Sequence, residues 1–264
     1  ALLKDKGTSL TQRGREEGIR RLMSVNLLKR LESSVYSFNL TLGRIKDLIE
    51  KTIAAIDKFE KYGVADLDMY EASADTDWDV DDQNTDFFSV GKKVKIDLAD
   101  MDYISWKESL SKDKEVLDLL CLMVSDITPE YDNKLQALFG VLKNKIENPI
   151  NGTNKKVIIF TAFADTAQYL YTNVSAYIKN NFGLDTAMVT GTVEGRTTAK
   201  VRSSDLNTIL TCFSPISKDK ELLMPGNKTE IDLLIATDCI SEGQNLQDCD
   251  YLINYDIHWN PVRI

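Results

Sequence analysis

Four short apolar runs limit the folds open to the second half of this chain. They are 156–163 (KVIIFTAF), 186–190, which ends at Gly191, 232–237 (DLLIAT) and 251–255 (YLINY). Residues 164–179 between the first two carry helical spacing. Strands that are apolar on both faces and alternate with helices require a parallel sheet covered on both sides. Ligands of such sheets collect at the carboxyl ends of the strands. The polar tails Thr161, Thr190 with Gly191, Thr237 with Asp238, and Asp256 are therefore where chemistry is expected.

The first half has a different pattern. From Glu16 to about Tyr62, apolar residues recur at Leu28, Leu31, Val35, Phe38, Leu42, Ile45 and Ile49, which predicts one long helix with a heptad seam. Arg20, Arg21, Lys29, Arg30, Arg44 and Lys46 lie near that seam, either as a solvated face or as a surface for phosphates. Residues 63–105 hold 12 acidic against 3 basic side chains, and 74–86 (ADTDWDVDDQNTD) has no apolar period, so an acidic insertion is expected there. Its alternating Asp residues lack the glycine and terminal glutamate of a calcium loop. Helical spacing returns at 106–127 and 132–146, punctuated by Pro129. The reading divides the chain into a helical region, 1–150, with its acidic loop at about 63–105, and an α/β unit, 151–264.

Composition removes several chemistries. In 264 residues, no apolar run approaches the roughly 18 that a membrane span needs. The start, ALLKDK, lacks the pattern of a signal peptide, and a cytoplasmic location is the default. Cys121, Cys212, Cys239 and Cys249 form no Cys-x-x-Cys pair, and His258 is the one histidine, so neither a disulfide, a zinc site nor any other metal centre is expected. The net charge of −9 argues against nucleic acid at first sight. Residues 2–62, however, carry 13 basic against 8 acidic side chains, and an acidic total is compatible with a locally basic groove.

The strand ends carry a resemblance. IATDCISEGQNL (235–246) resembles the fifth motif of superfamily-two helicases, VIIFTAF (157–163) the fourth, and NYDIHWNP (254–261) the Asp-x-x-Trp-Asn-Pro signature of Swi/Snf-type ATPases of the bacterial branch. The signature residues are Asp256, Trp259, Asn260 and Pro261. NLLKRLESS (26–34) is similar to the segment that links the two motor lobes in bacterial members. The resemblance implies that 155–264 is a second, RecA-like lobe, a parallel sheet flanked by helices, preceded by a mainly helical region with an acidic insertion.

Roles follow for particular residues. A turn at a strand end exposes N–H groups, and Thr237 adds a hydroxyl donor, so a phosphate of DNA can be held there without reading a base. Thr161, Thr190, Gly191 and Asp238 stand at matching positions and are expected to grip the same backbone. The resemblance implies that Gly243, Gln244 and Asn245 form part of an ATP site, with Asn245 near the ribose. Thr237 and Asp238 serve equally well as a helix cap, and Gly243 as a helix terminator. His258 and Trp259 read as packing residues.

The chain has no Gly-x-x-x-x-Gly-Lys-Ser/Thr loop, and it stops before the family's Gln-Arg-x-Gly-Arg-x-x-Arg motif, so Arg263 is not the arginine finger. The expectation is a fragment of an ATP-dependent DNA helicase or translocase with no catalytic residue of its own, inactive alone. ATP and Mg2+ would belong to the whole protein, and the partners would be DNA and the first lobe. The alternative is a non-enzymatic module that docks a protein partner through the heptad helix and the acidic insertion.

Overall fold

The computed structural model describes residues 12–63, 66–68, 95–191, 194–237, 240 and 244–256. The acidic run 74–86 and residues 257–264 lie outside them. Helix α1 spans Gln12–Ser33 and α2 spans Val35–Tyr62, so the expected single helix is broken at Ser34. There the backbone turns extended, with φ −155° and ψ 145°, and the Ser34 hydroxyl accepts from Ser37 N at 3.0 Å, capping α2. The heptad seam does not survive the break. Leu28 and Leu31 of α1 are 63% and 40% exposed, whereas Leu42 and Ile56 of α2 are buried.

Helix α2 ends at Gly63, whose φ of 66° suits glycine in the left-handed region and whose N–H caps Phe59 O. Strands β1 (Asp66–Asp68) and β2 (Lys95–Asp97) then pair antiparallel, Asp68 opposite Lys95. A 3-10 turn buries Leu98 beside Ile56, Phe59, Trp106 and Leu110, which fastens the base of the insertion to α2 and α3 (Tyr103–Ser125). Ion pairs cross from α2 to α3: Lys114 to Glu50 at 3.1 Å, Lys46 to Asp118, and Lys107 to Asp57 at 2.6 Å and Glu60 at 2.7 Å. Hydrogen bonds from Lys107 to both carboxylates raise it to about 12.

Helix α4 (Asn133–Glu147) begins at Asp132, whose carboxylate accepts from Leu135 N. Then come β3 (Val157–Phe160), α5 (Ala164–Phe182), β4 (Thr186–Val189), β5 (Arg196–Thr197), α6 (Leu206–Phe213), the single turn α7 (Lys220–Leu223), β6 (Leu233–Ala236) and β7 (Leu252–Asn254). The sheet order is β5-β4-β6-β3-β7, and every pairing is parallel except that of β5 with β4. The α/β expectation holds, with short β5 as an antiparallel addition that the sequence did not announce.

Side-chain alternation explains the two layers. Val157, Ile159, Met188, Leu233 and Ile235 face α4 and α5, meeting Leu135, Leu138, Leu142, Leu170, Val174 and Ile178. Ile158, Ala187, Val189, Leu234 and Ala236 face the other way, onto Ile209, Leu210 and Phe213 of α6. The three inner strands β3, β4 and β6 are thus buried on both sides, which is why each reads as a continuous apolar run. Helix α4, N-terminal to residue 150, shares the core of the sheet. Among the described residues, no helix is long and apolar enough to cross a membrane.

Candidate functional site

Strand register places the expected polar tails along one edge. Phe160 lies opposite Ala236 and Asn254, and Ala236 lies opposite Val189, so Thr161, Thr237, Thr190 and Tyr255 each follow a paired strand residue at the carboxyl end of the sheet. The ladder extends past the strands: Thr161 N donates to Ala236 O at 3.0 Å, Thr237 N to Val189 O at 3.2 Å and Tyr255 N to Phe160 O at 2.8 Å. Thr161, Thr190 and Thr237 are buried, while Gly191 is exposed.

Asp256 organises this edge. Its Oδ2 accepts from Ala162 N at 2.9 Å, Ser33 Oγ at 3.0 Å and the Thr161 hydroxyl, and its Oδ1 faces Lys134 Nζ at 3.3 Å. The hydroxyl of Thr161 therefore serves the protein's own carboxylate. The sequence places Thr161 among the residues expected to grip a nucleic-acid backbone, and within the fold its hydroxyl donates to Asp256. The nest of donors after β3 does hold an anion, but the anion is Asp256.

The end of α1 is bound into the same cluster. Lys134 donates to Glu32 O at 2.8 Å and Ser33 O at 2.9 Å, placing a cation on the carbonyl end of that helix, where its dipole favours positive charge. Lys134 Nζ also lies 4.0 Å from the centre of the Tyr255 ring. Thr166 Oγ1 is 2.7 Å from Ser33 Oγ and 3.0 Å from Ser34 Oγ. At the start of α5, Asp165 accepts from Arg30 Nη1 at 3.1 Å and from both terminal nitrogens of Arg44. Arg30 is 1% exposed, donates to Ser37 Oγ and lies over the Phe163 ring at 4.6 Å.

Ser33, Ser34, Arg30, Lys134, Asp165 and Thr166 were not marked as site residues by sequence. Helical spacing continues across Ser33 and Ser34 in the sequence and gives no signal there, so only the tertiary structure reveals what those hydroxyls touch.

The segment beyond β6 is anchored from α6's side of the sheet. Asp248 accepts from Ile216 N at 2.7 Å, Ser217 N at 2.9 Å and the Ser217 hydroxyl. Burial works to raise its carboxyl, but these bonds outweigh it and hold the group below the usual range. Lys218 Nζ donates to Gln244 Oε1 at 2.8 Å, and Asn245 is exposed. Of the residues expected to touch ATP, Gln244 and Asn245 are thus adjacent and open to solvent, whereas Gly243 lies outside the described residues, as do Asp238, Trp259, Asn260 and Pro261. Among the described residues, no group of three His, Cys, Asp or Glu side chains is placed to hold a metal ion.

Comparison with known proteins agrees with this geometry. A stretch of 35 residues is 54% identical to the "Uncharacterized ATP-dependent helicase YqhH" of Bacillus subtilis (strain 168), covering 13% of this chain and 6% of that protein. The model of the helicase conserved C-terminal domain matches residues 133–264, from the first residue of α4 onward. The matched half takes in α4, the whole five-stranded sheet and the polar edge, so the chain belongs to the helicase conserved C-terminal domain family and has its RecA-like α/β fold.

Proposed function

We propose that this chain is the second motor lobe, with its preceding linker, of an ATP-dependent DNA helicase or translocase of the Swi/Snf-like kind. The observation that carries the reading is the shared edge on which Thr161, Thr190, Gly191, Thr237 and Asp256 end four paired strands. In this reading the lobe begins at α4, which shares the core of the sheet, and residues 12–62 form the linker and its helical extension. Thr237, Thr190 and Gly191, with Asp238, hold DNA phosphates, and Thr161 shapes the turn through Asp256. Exposed Asn245, beside Gln244 and Gly243, contacts a nucleotide completed by a first lobe, where ATP with Mg2+ supplies the phosphoryl chemistry. The Swi/Snf assignment rests on Asp256 with Trp259, Asn260 and Pro261 in the sequence.

Binding to fluorescent duplex and single-stranded DNA over a salt series tests this reading. Affinity is expected to fall steeply with salt, as for any backbone-directed contact, and Thr237→Ala is expected to weaken it about equally for unrelated sequences. Binding that ignores salt, or is indifferent to Thr237→Ala, would count against the strand-end track. A second reading, docking of a protein partner, is favoured by one observation: Val25, Leu28 and Leu31 of α1 stay exposed at three-residue spacing.

A further inference from the structure

The Asp256 carboxylate gathers donors from α1, the turn after β3 and α4, and one of those partners lies 223 residues away in sequence. Resting on the reading of the chain as a motor lobe, we propose that Asp256 is a positioning residue that latches the end of α1 to the strand-end edge, so that linker and nucleic-acid track move as one body. The latch grips α1 twice. Ser33 Oγ donates directly to the carboxylate, and Lys134 bridges the same carboxylate to the carbonyls of Glu32 and Ser33.

The parts are dry. Ser33 is 1% exposed, Thr161 3% and Thr166 0%, so a lost hydroxyl leaves its partner without water to replace it. The Ser34 hydroxyl beside Thr166 and the Arg30 ion pair with Asp165 brace the junction from the α5 side. Beyond the latch α1 runs for 22 residues. That is roughly 33 Å, so a tilt of about 10° at the latch moves the far end by roughly 6 Å. A shift of the track when DNA binds is thereby delivered to the far end of the linker, and a shift of the linker is delivered to the track, as energetic reciprocity requires.

The test uses the full-length protein that carries this chain, assayed for ATP turnover with and without duplex DNA. Ser33→Ala is expected to leave DNA-free turnover within about twofold of wild type and to cut DNA-stimulated kcat at saturating DNA by about fivefold or more. Thr161→Val is expected to show the same loss of stimulation, Thr161→Ser to restore it, and the Ser33→Ala, Thr161→Val double variant to be no worse than either single one, since all act through one carboxylate. Faster amide exchange in the last turn of α1 in Ser33→Ala reports that the latch has opened. Full DNA stimulation in Ser33→Ala overturns the proposal. Wild-type protein that shows no DNA stimulation overturns the motor reading and the coupling with it, and this result is distinguishable because it precedes any substitution.

Discussion

Lys145 on α4 is 2% exposed, yet its ammonium donates to Asp250 Oδ1 at 2.7 Å and Asn154 O at 3.0 Å. Removing one member of such a pair strands the other. Asp250→Ala, which leaves the buried ammonium uncompensated, is expected to cost about 3–5 kcal/mol in chemical denaturation, whereas Lys145→Met combined with Asp250→Leu recovers most of it because neither charge remains to be solvated. A single variant as stable as wild type would mean that the pair contributes nothing. Asp205 gives the pH dependence a residue to follow. Its carboxylate caps α6 by accepting from Thr208 N at 2.9 Å and Thr208 Oγ1 at 2.7 Å, and the hydroxyl and amide of Thr208 lower it to about 2 from 3.8. A carboxyl lowered in the folded state adds stability above its ordinary value and loses it as pH falls toward the folded one. Asp205→Ala is therefore expected to cost about 1 kcal/mol at pH 7. Between the ordinary 3.8 and about 2 the gap to wild type should close, and a gap that stays constant through that window would show that the charge has no part in the cap.

Among the elements, Gly195 before β5 is held by close approach rather than by its backbone angles. A Cβ there would lie 2.4 Å from Ser204 O and 2.6 Å from Ile209 Cδ1, so Gly195→Ala must push apart the loop and α6. We expect a loss of about 1–3 kcal/mol in a thermal or denaturant melt, and an unchanged midpoint would show that the loop moves freely. The elements that sequence revealed are those with a full apolar period or run. Strands β3, β4 and β6 are buried on both faces, β7 is a short apolar run at the edge of the sheet, and α3, α4 and α5 each exceed three turns, so their patterns repeat enough to be seen. The break at Ser34 was hidden because Leu31, Val35 and Phe38 keep helical spacing across it, although the chain turns extended between them. Strand β5 has two residues and α6 eight, too few for a period to declare itself. The site divides in the same way: its strand-end positions follow from where apolar runs stop, while the partnership of Asp256 with Ser33 is a contact across 223 residues that no local pattern encodes.

At the scale of the whole molecule, charge and fold can be separated by one deletion. Strands β1 and β2 pair Asp68 directly with Lys95, so residues 69–94 are an insertion whose two ends already meet. Replacing them with Asn-Gly, the pair suited to a two-residue hairpin, should leave the ladder and the Ile56 and Leu98 cluster in place. The melting temperature is then expected to stay within a few degrees of the parent's, since a 1 kcal/mol change moves a protein of this size by only about 2–4 °C. The electrostatic effect is much larger in proportion. The deleted stretch holds seven acidic and two basic residues, more than half of the chain's net charge of −9. If the strand-end edge tracks DNA, removing that negative charge raises affinity at low salt. The gain should shrink as ionic strength brings the screening length below about 10 Å, as an effect of the field must. Equal affinity at low salt would show that the insertion's charge does not reach the edge, and weaker binding would show that residues 69–94 themselves hold the nucleic acid.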